Sequence, residues 1–120
     1  MSAILTGALA QSLDLAQTDL IERTWADKTA QSDTPALFID VFFDARALAC
    51  PMPLLKAKLN LRTMTAGQSL YLLTADKNSQ TDLVAFCQKN NHQIQMWVSQ
   101  DTQNPATIYC FLITKSAQKN

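Results

Sequence analysis

A chain of 120 residues with ten acidic and ten basic side chains has room for one packed domain. It lacks the basic excess that phosphate backbones demand, so direct nucleic-acid binding is not expected. Hydrophobic residues make up 48% of it, enough for a core without disulfides, yet no apolar run reaches the roughly 20 residues of a membrane span.

Three cysteines, at 50, 87 and 110, form no CxxC pair and cannot all be bridged. With His92 as the one histidine there is no metal-ligand cluster in the sequence. An odd cysteine count suits a reducing compartment. The stretch Ile4 to Ala10 ends in Ala-x-Ala but lacks the basic start of a secretory signal, so a cytoplasmic location is expected. Charge is unevenly spread. Residues 1–36 hold Asp14, Asp19, Glu22, Asp27 and Asp33 against Arg23 and Lys28, a balance of −3, so the remainder carries +3.

In chain order, Ile4/Leu5, Ala8/Leu9, Leu13, Ala16 and Leu20 recur at three- and four-residue steps, which predicts an amphipathic helix over 3–24. Residues 27–36 are polar and breaker-rich and predict a linker. The expected organisation is therefore an extension at 1–36, a compact domain at 37–116 and a tail at 117–120. Leu37–Phe43 predicts a strand with Leu37, Ile39, Val41 and Phe43 on one face. Pro51 opens a helix to about Met64, since an amide missing from a first turn costs nothing, and Leu54, Ala57, Leu61 and Met64 form its buried stripe. Gly67 ends the following turn, and Ser69–Ala75 predicts a second strand. Ser79-x-x-Asp82 is read as a capping box opening a helix to about Asn90, with Leu83, Phe86 and Cys87 inward. Ile94, Met96 and Val98 alternate in a third strand, Gln100–Ala106 is a loop, and Ile108–Lys115 is a fourth strand. Phe42 and Trp97 fall opposite the core stripes, which predicts a sticky sheet surface or packing at an edge. The order βαβαββ implies an α+β fold, a two-layer sandwich of a four-stranded mixed sheet with two helices on one face.

Chemistry concentrates on Cys50. It falls in Cys50-Pro51-Met52-Pro53, where a strand gives way to a helix. A helix start presents unpaired amides and the positive end of the macrodipole, both of which favour thiolate, the nucleophilic form. Pro51 and Pro53 stiffen that turn, and Arg46, Lys56 and Lys58 lie near enough in sequence to lower the thiol pKa if they fold back. Cys87 and Cys110 sit in apolar periodic runs and read as buried packing residues. Lys56, Lys58 and Arg62 read as a solvated helix face or as a docking patch for an acidic partner. His92 reads as a turn residue.

The run Asp44-Ala45-Arg46-Ala47-Leu48-Ala49-Cys50-Pro51-Met52-Pro53, with Gly67, Asp76, Asp82, Phe86 and His92 beyond it, resembles the TusA/SirA/YedF sulfur-carrier family over residues 38–115. The resemblance implies a small βαβαββ protein whose Cys50 accepts a sulfane sulfur as persulfide and passes it on, with Asp44 at the strand end and Pro51 and Pro53 shaping the turn. It implies no bound cofactor and no metal. The donor is expected to be a cysteine desulfurase or rhodanese, and the recipient an acceptor protein in tRNA thiolation, molybdenum-cofactor maturation or other sulfur metabolism. The competing expectation is a regulatory or interaction module in which Cys50 senses redox state or is vestigial. The family usually has glycine where this chain has Ala47, and members in tRNA thiolation can carry arginine where it has Ala49. A positive φ at residue 47 would strain alanine. A further expectation is that the acidic extension folds over the basic helix and masks Cys50.

Overall fold

Four runs of β-branched and aromatic residues pair into one open sheet. The computed structural model describes residues 4–5, 9, 11, 13–31, 38–49, 51–100 and 107–116. Within these, β1 is Ile4–Leu5, α1 Leu15–Gln31, β2 Phe38–Ile39, β3 Val41–Asp44 and α2 Met52–Thr63. They are followed by β4 Ser69–Thr74, α3 Ser79–Lys89, β5 Gln93–Gln100 and β6 Thr107–Thr114. The main sheet has the order β3-β4-β6-β5. β3 runs parallel to β4, while β6 is antiparallel to both β4 and β5. β1 and β2 form a separate parallel pair. From β3 onward the order is βαβαββ with a four-stranded mixed sheet, the α+β fold that the pattern implied.

β4 decides the layering. All six of its residues are buried, so both faces of the sheet must be covered. On one face Leu70, Leu72, Phe111 and Ile113 meet Ala57, Leu61 and Met64 at α2 and Leu83 and Cys87 of α3. Both expected helices therefore lie together, each through its predicted stripe. On the other face Tyr71, Leu73, Trp97, Ile108, Cys110 and Leu112 meet Leu20, Ile21 and Trp25 of α1. Trp25 packs edge-on against Tyr71 and Trp97 at 5.5 and 5.6 Å. The Thr24 and Tyr71 hydroxyls share a 2.5 Å hydrogen bond, Trp97 Nε1 donates to Thr24 O at 2.9 Å, and Ser99 Oγ donates to Asp27 Oδ2. Of the two aromatic residues outside the core stripes, Trp97 is covered here by the chain's own N-terminal helix, and Phe42, on the edge strand β3, packs against Tyr71 at 6.0 Å.

The N-terminal expectations shift accordingly. The helix begins at Leu15 because Asp14 and Gln17 cap it reciprocally: Gln17 N donates to Asp14 Oδ1 at 2.8 Å, and Asp14 N donates to Gln17 Oε1 at 3.1 Å. Ile4 and Leu5, read as helical, are a strand. α1 also runs on to Gln31, through the first residues of the expected linker. Its buried side lies on the sheet face opposite α2, so it does not fold over the basic helix.

The single strand expected at 37–43 is broken at Asp40. Asp40 N donates to Ser69 O at 3.0 Å, and Ser69 N donates to Asp40 Oδ2 at 2.9 Å. This side-chain bridge interrupts the alternation, so Ile39 enters the α1 side while Val41 and Phe43 face the α2 side. Leu37, the 101–106 loop and the 117–120 tail lie outside the described residues.

Candidate functional site

β3 and β4 are parallel and each is followed by a helix, so both strand-to-helix connections lie at one end of the sheet. The first runs from Asp44 to Pro51. Ala45 is fully buried and its amide donates to Leu73 O at 2.7 Å, anchoring the departing chain to β4. Leu48 N returns to Ala45 O at 3.0 Å and closes a turn. Ala47, in that turn, is exposed. Positive φ occurs among the described residues only at Gly67 (90°) and Asn91 (62°). Alanine at 47 therefore fits without strain, and no glycine is required.

Cys50 itself lies outside the described residues; its neighbours Ala49 and Pro51 are both exposed. Pro51 is the N-cap of α2 and Pro53 is buried beneath the first turn. Met52 N donates back to Ala49 O at 2.9 Å and Leu55 N to Pro51 O at 3.1 Å. Pro51 and Pro53 lack amides, which leaves few donors in this turn.

The charged residues separate. Arg46 is clamped by Asp44, with Nε to Oδ1 and Nη2 to Oδ2 both 2.9 Å and the Arg46 amide on Oδ1 at 3.1 Å. Lys58 Nζ lies 5.5 Å from the centre of the Phe86 ring on α3, a cation–π contact. Lys56 is half-buried on α2. The structure thus joins Asp44 with Arg46 and turns Lys58 toward α3.

At the second connection Asp76 organises the start of α3. Its Oδ1 accepts from Asn78 N at 3.1 Å and its Oδ2 accepts from Ser79 Oγ at 3.2 Å. Asn78 is the N-cap and makes no side-chain cap bond, so the Ser79–Asp82 capping box does not form. An Asp two residues ahead of the N-cap, a local Asx-type turn signal, was the better indicator.

The other cysteines are free thiols in the core, and burial pushes both up to about 12. His92 is half-buried; its Nδ1 accepts from Ser116 N at 3.0 Å and its ring lies 5.7 Å from that of Phe86. Desolvation, then the Lys115 charge, lowers its pKa.

One feature escaped the sequence reading. Met52, Leu55 and Leu59 are 37, 43 and 52% exposed, and their spacing puts them on one outward face of α2. Lys56 and Arg62 flank that stripe. A helix apolar on a second side, opposite a stripe already assigned to the core, was the available signal.

Residues 41–115 match the family model of sulfurtransferase TusA. The chain is 32% identical to the sulfur carrier protein TusA of Allochromatium vinosum over 77 residues, 64% of this chain and 95% of that protein. It is 38% identical to the putative sulfur carrier protein YrkF of Bacillus subtilis over 53 residues, 44% of this chain but 29% of that protein. The SirA-like protein of Desulfitobacterium hafniense, a crystal structure, superposes with a TM-score of 0.52 over 63% of this chain and 99% of its own, at 21% identity. At that identity the likeness carries the fold alone. No helix among the described residues is long and apolar enough to cross a membrane.

Proposed function

Because this chain belongs to the TusA sulfurtransferase family, we propose that it is a sulfur carrier and that Cys50 is the atom carrier. The observation that supports this most is the position of Cys50 within the matched region 41–115, directly ahead of the N-cap of α2. The positive end of a helix favours the anionic form of a thiol that precedes it. Arg46 contributes less than its charge suggests, because Asp44 already neutralises it.

The step conserves electrons. Cys50 thiolate attacks the outer sulfur of a donor persulfide; a new S–S bond forms, the donor's S–S bond breaks, and the donor cysteine leaves as thiolate. A thiolate of the acceptor then attacks the terminal sulfur of the Cys50 persulfide, and Cys50 thiolate is the leaving group. The donor would be a cysteine desulfurase or rhodanese and the recipient an acceptor protein, in tRNA thiolation or molybdenum-cofactor chemistry, within the reducing cytoplasm. Partners would dock on the Met52, Leu55 and Leu59 stripe, with Lys56 and Arg62 meeting acidic residues at its rim.

Incubation with a cysteine desulfurase and cysteine, followed by mass spectrometry, tests this reading. One added sulfur atom on Cys50, removed by reductant and absent from Cys50→Ser, is expected. Sulfur found on Cys87 or Cys110 instead, or no addition at all, would refute it.

A further inference from the structure

The two residues that follow β6 are tied down in different ways. Lys115 is held through its backbone and its side chain. Its amide donates to Gln68 O and its carbonyl accepts from Gly67 N, both at 2.9 Å. Its ammonium group donates to Leu61 O and Met64 O at the end of α2, both at 2.6 Å. Every acceptor in this set is a backbone carbonyl, which does not titrate. Ser116 is held by its amide, which donates to His92 Nδ1 at 3.0 Å, and by its hydroxyl, which donates to Asn90 O at 3.3 Å. The second bond is long for a hydroxyl donor, so the imidazole carries most of the attachment.

The turn that ends α3 delivers that ring in a fixed pose. Asn91 takes a left-handed φ of 62°, His92 N donates to Cys87 O at 2.9 Å, and Asn90 Nδ2 donates to Phe86 O at 2.9 Å. The imidazole rests 5.7 Å from the Phe86 ring. His92 directly precedes β5, which runs in the same direction as β3 and β4, so it lies at the end of the sheet opposite the turn that leads to Cys50. Its behaviour is independent of the sulfur-carrier reading.

An imidazole accepts a hydrogen bond only while it is neutral; once protonated, both of its nitrogens are donors. A proton on Nδ1 would therefore meet the Ser116 amide as donor against donor. The groups around the ring do not offset that proton. Lys115 acts on it as a like charge, Lys58 of α2 lies over the Phe86 ring, and Lys89 in the last turn of α3 is exposed. All three are cationic. The Cys87 thiol of α3 is pushed up to about 12 by burial and brings no compensating charge.

We infer that His92 is an acid-operated latch: neutral, it holds Ser116 against the end of α3, and protonated, it releases Ser116 while Lys115 stays in the sheet. The attachment of the chain beyond β6 is thereby set by pH at one nitrogen.

The test is backbone ¹⁵N relaxation of the full chain, with the His92 ring titration followed by NMR in the same samples. At neutral pH the order parameters of Lys115 and Ser116 should both be about 0.85. About one pH unit below the midpoint of the ring, where some nine-tenths of the imidazole is protonated, that of Ser116 should fall below about 0.6 while that of Lys115 is unchanged. The Ser116 amide shift should move with the same midpoint as the ring. His92→Asn keeps an acceptor oxygen near the place of Nδ1 but does not titrate, so Ser116 should stay rigid at both pH values. His92→Phe keeps a ring beside Phe86 without an acceptor, so Ser116 should be mobile at both. A Ser116 that stays rigid below the ring midpoint, a midpoint apart from that of the ring, or a parallel loss of order at Lys115 each overturn the inference. So does a His92→Asn chain that keeps the pH dependence. Should either variant fail to fold, the contrast between Ser116 and Lys115 in the unaltered chain decides alone.

Discussion

On one face of the sheet, Leu70, Leu72, Phe111 and Ile113 meet the aliphatic inner sides of α2 and α3; on the other, Tyr71, Trp97 and Leu112 meet Ile21 and Trp25 of α1. The first face is held by non-directional packing and lies wholly within the family-matched residues. The second adds three aromatic rings in mutual contact and buried hydrogen bonds from Thr24 and Trp97, which fix the approach of α1 as well as its affinity. An addition to a small domain can thus be as deeply seated as the helices that define the fold.

The sharpest way to break this comparison is to remove the largest fully buried helix side chain of each face. Trp25→Ala is expected to lower unfolding free energy by about 3–5 kcal/mol, and Leu83→Ala by about 2–5 kcal/mol. Urea unfolding followed by circular dichroism measures both. A loss below about 1 kcal/mol for Trp25→Ala would show that α1 is a loose appendage.

The directional part of the second face is next in size. Thr24→Val leaves the buried Tyr71 hydroxyl without its 2.5 Å partner and is expected to cost about 1–3 kcal/mol. Burial holds the Tyr71 phenol far above its ordinary pKa, so it cannot ionise its way out of the loss. Adding Tyr71→Phe to Thr24→Val should cost less than Tyr71→Phe alone, and strictly additive losses would argue against the bond.

A smaller effect separates the first face by pH. Desolvation and the Lys115 charge lower the pKa of His92 from its ordinary 6.5, so the unfolded chain binds this proton more readily than the folded one. His92 therefore contributes stability that is fully present above pH 6.5 and declines as pH falls toward the lower folded value. The urea midpoint should drop over that window, and His92→Gln should flatten the drop. An unchanged profile in the variant would assign the pH dependence elsewhere.

The smallest change lies in the turn before Cys50. Ala47→Gly should destabilise by about 0.5–1 kcal/mol, the cost of backbone freedom where no positive φ is used. A gain in thermal stability would mean that the turn does favour the left-handed region.

Much of the first face was legible in the residues. The three- and four-residue steps of Leu54, Ala57, Leu61 and Met64 named the buried side of α2, and Leu83 and Cys87 that of α3, because a helix repeats its faces locally. The run Cys50-Pro51-Met52-Pro53 marked the start of α2 for the same reason: proline constrains its own backbone wherever it stands. The second face left a clue in β4, where Leu70-Tyr71-Leu72-Leu73 is apolar on both sides and so calls for two covers. The Asp14–Gln17 box was also readable, yet the apolar pattern of residues 3–13 drew the helix too early.

What the sequence by itself determined is whatever acts within a turn or two of chain: the helix faces, the order of strands and helices, and the proline-stiffened thiol turn. Only the tertiary structure decided that Arg46 is paired to Asp44, that Lys58 turns to Phe86, that Asp40 breaks the first strand against Ser69, and that α1 seals the far side of the sheet. Each of these joins groups whose meeting depends on where the backbone carries them, and a charge, a bond or a packed ring takes its effect from that neighbour rather than from its place in the chain.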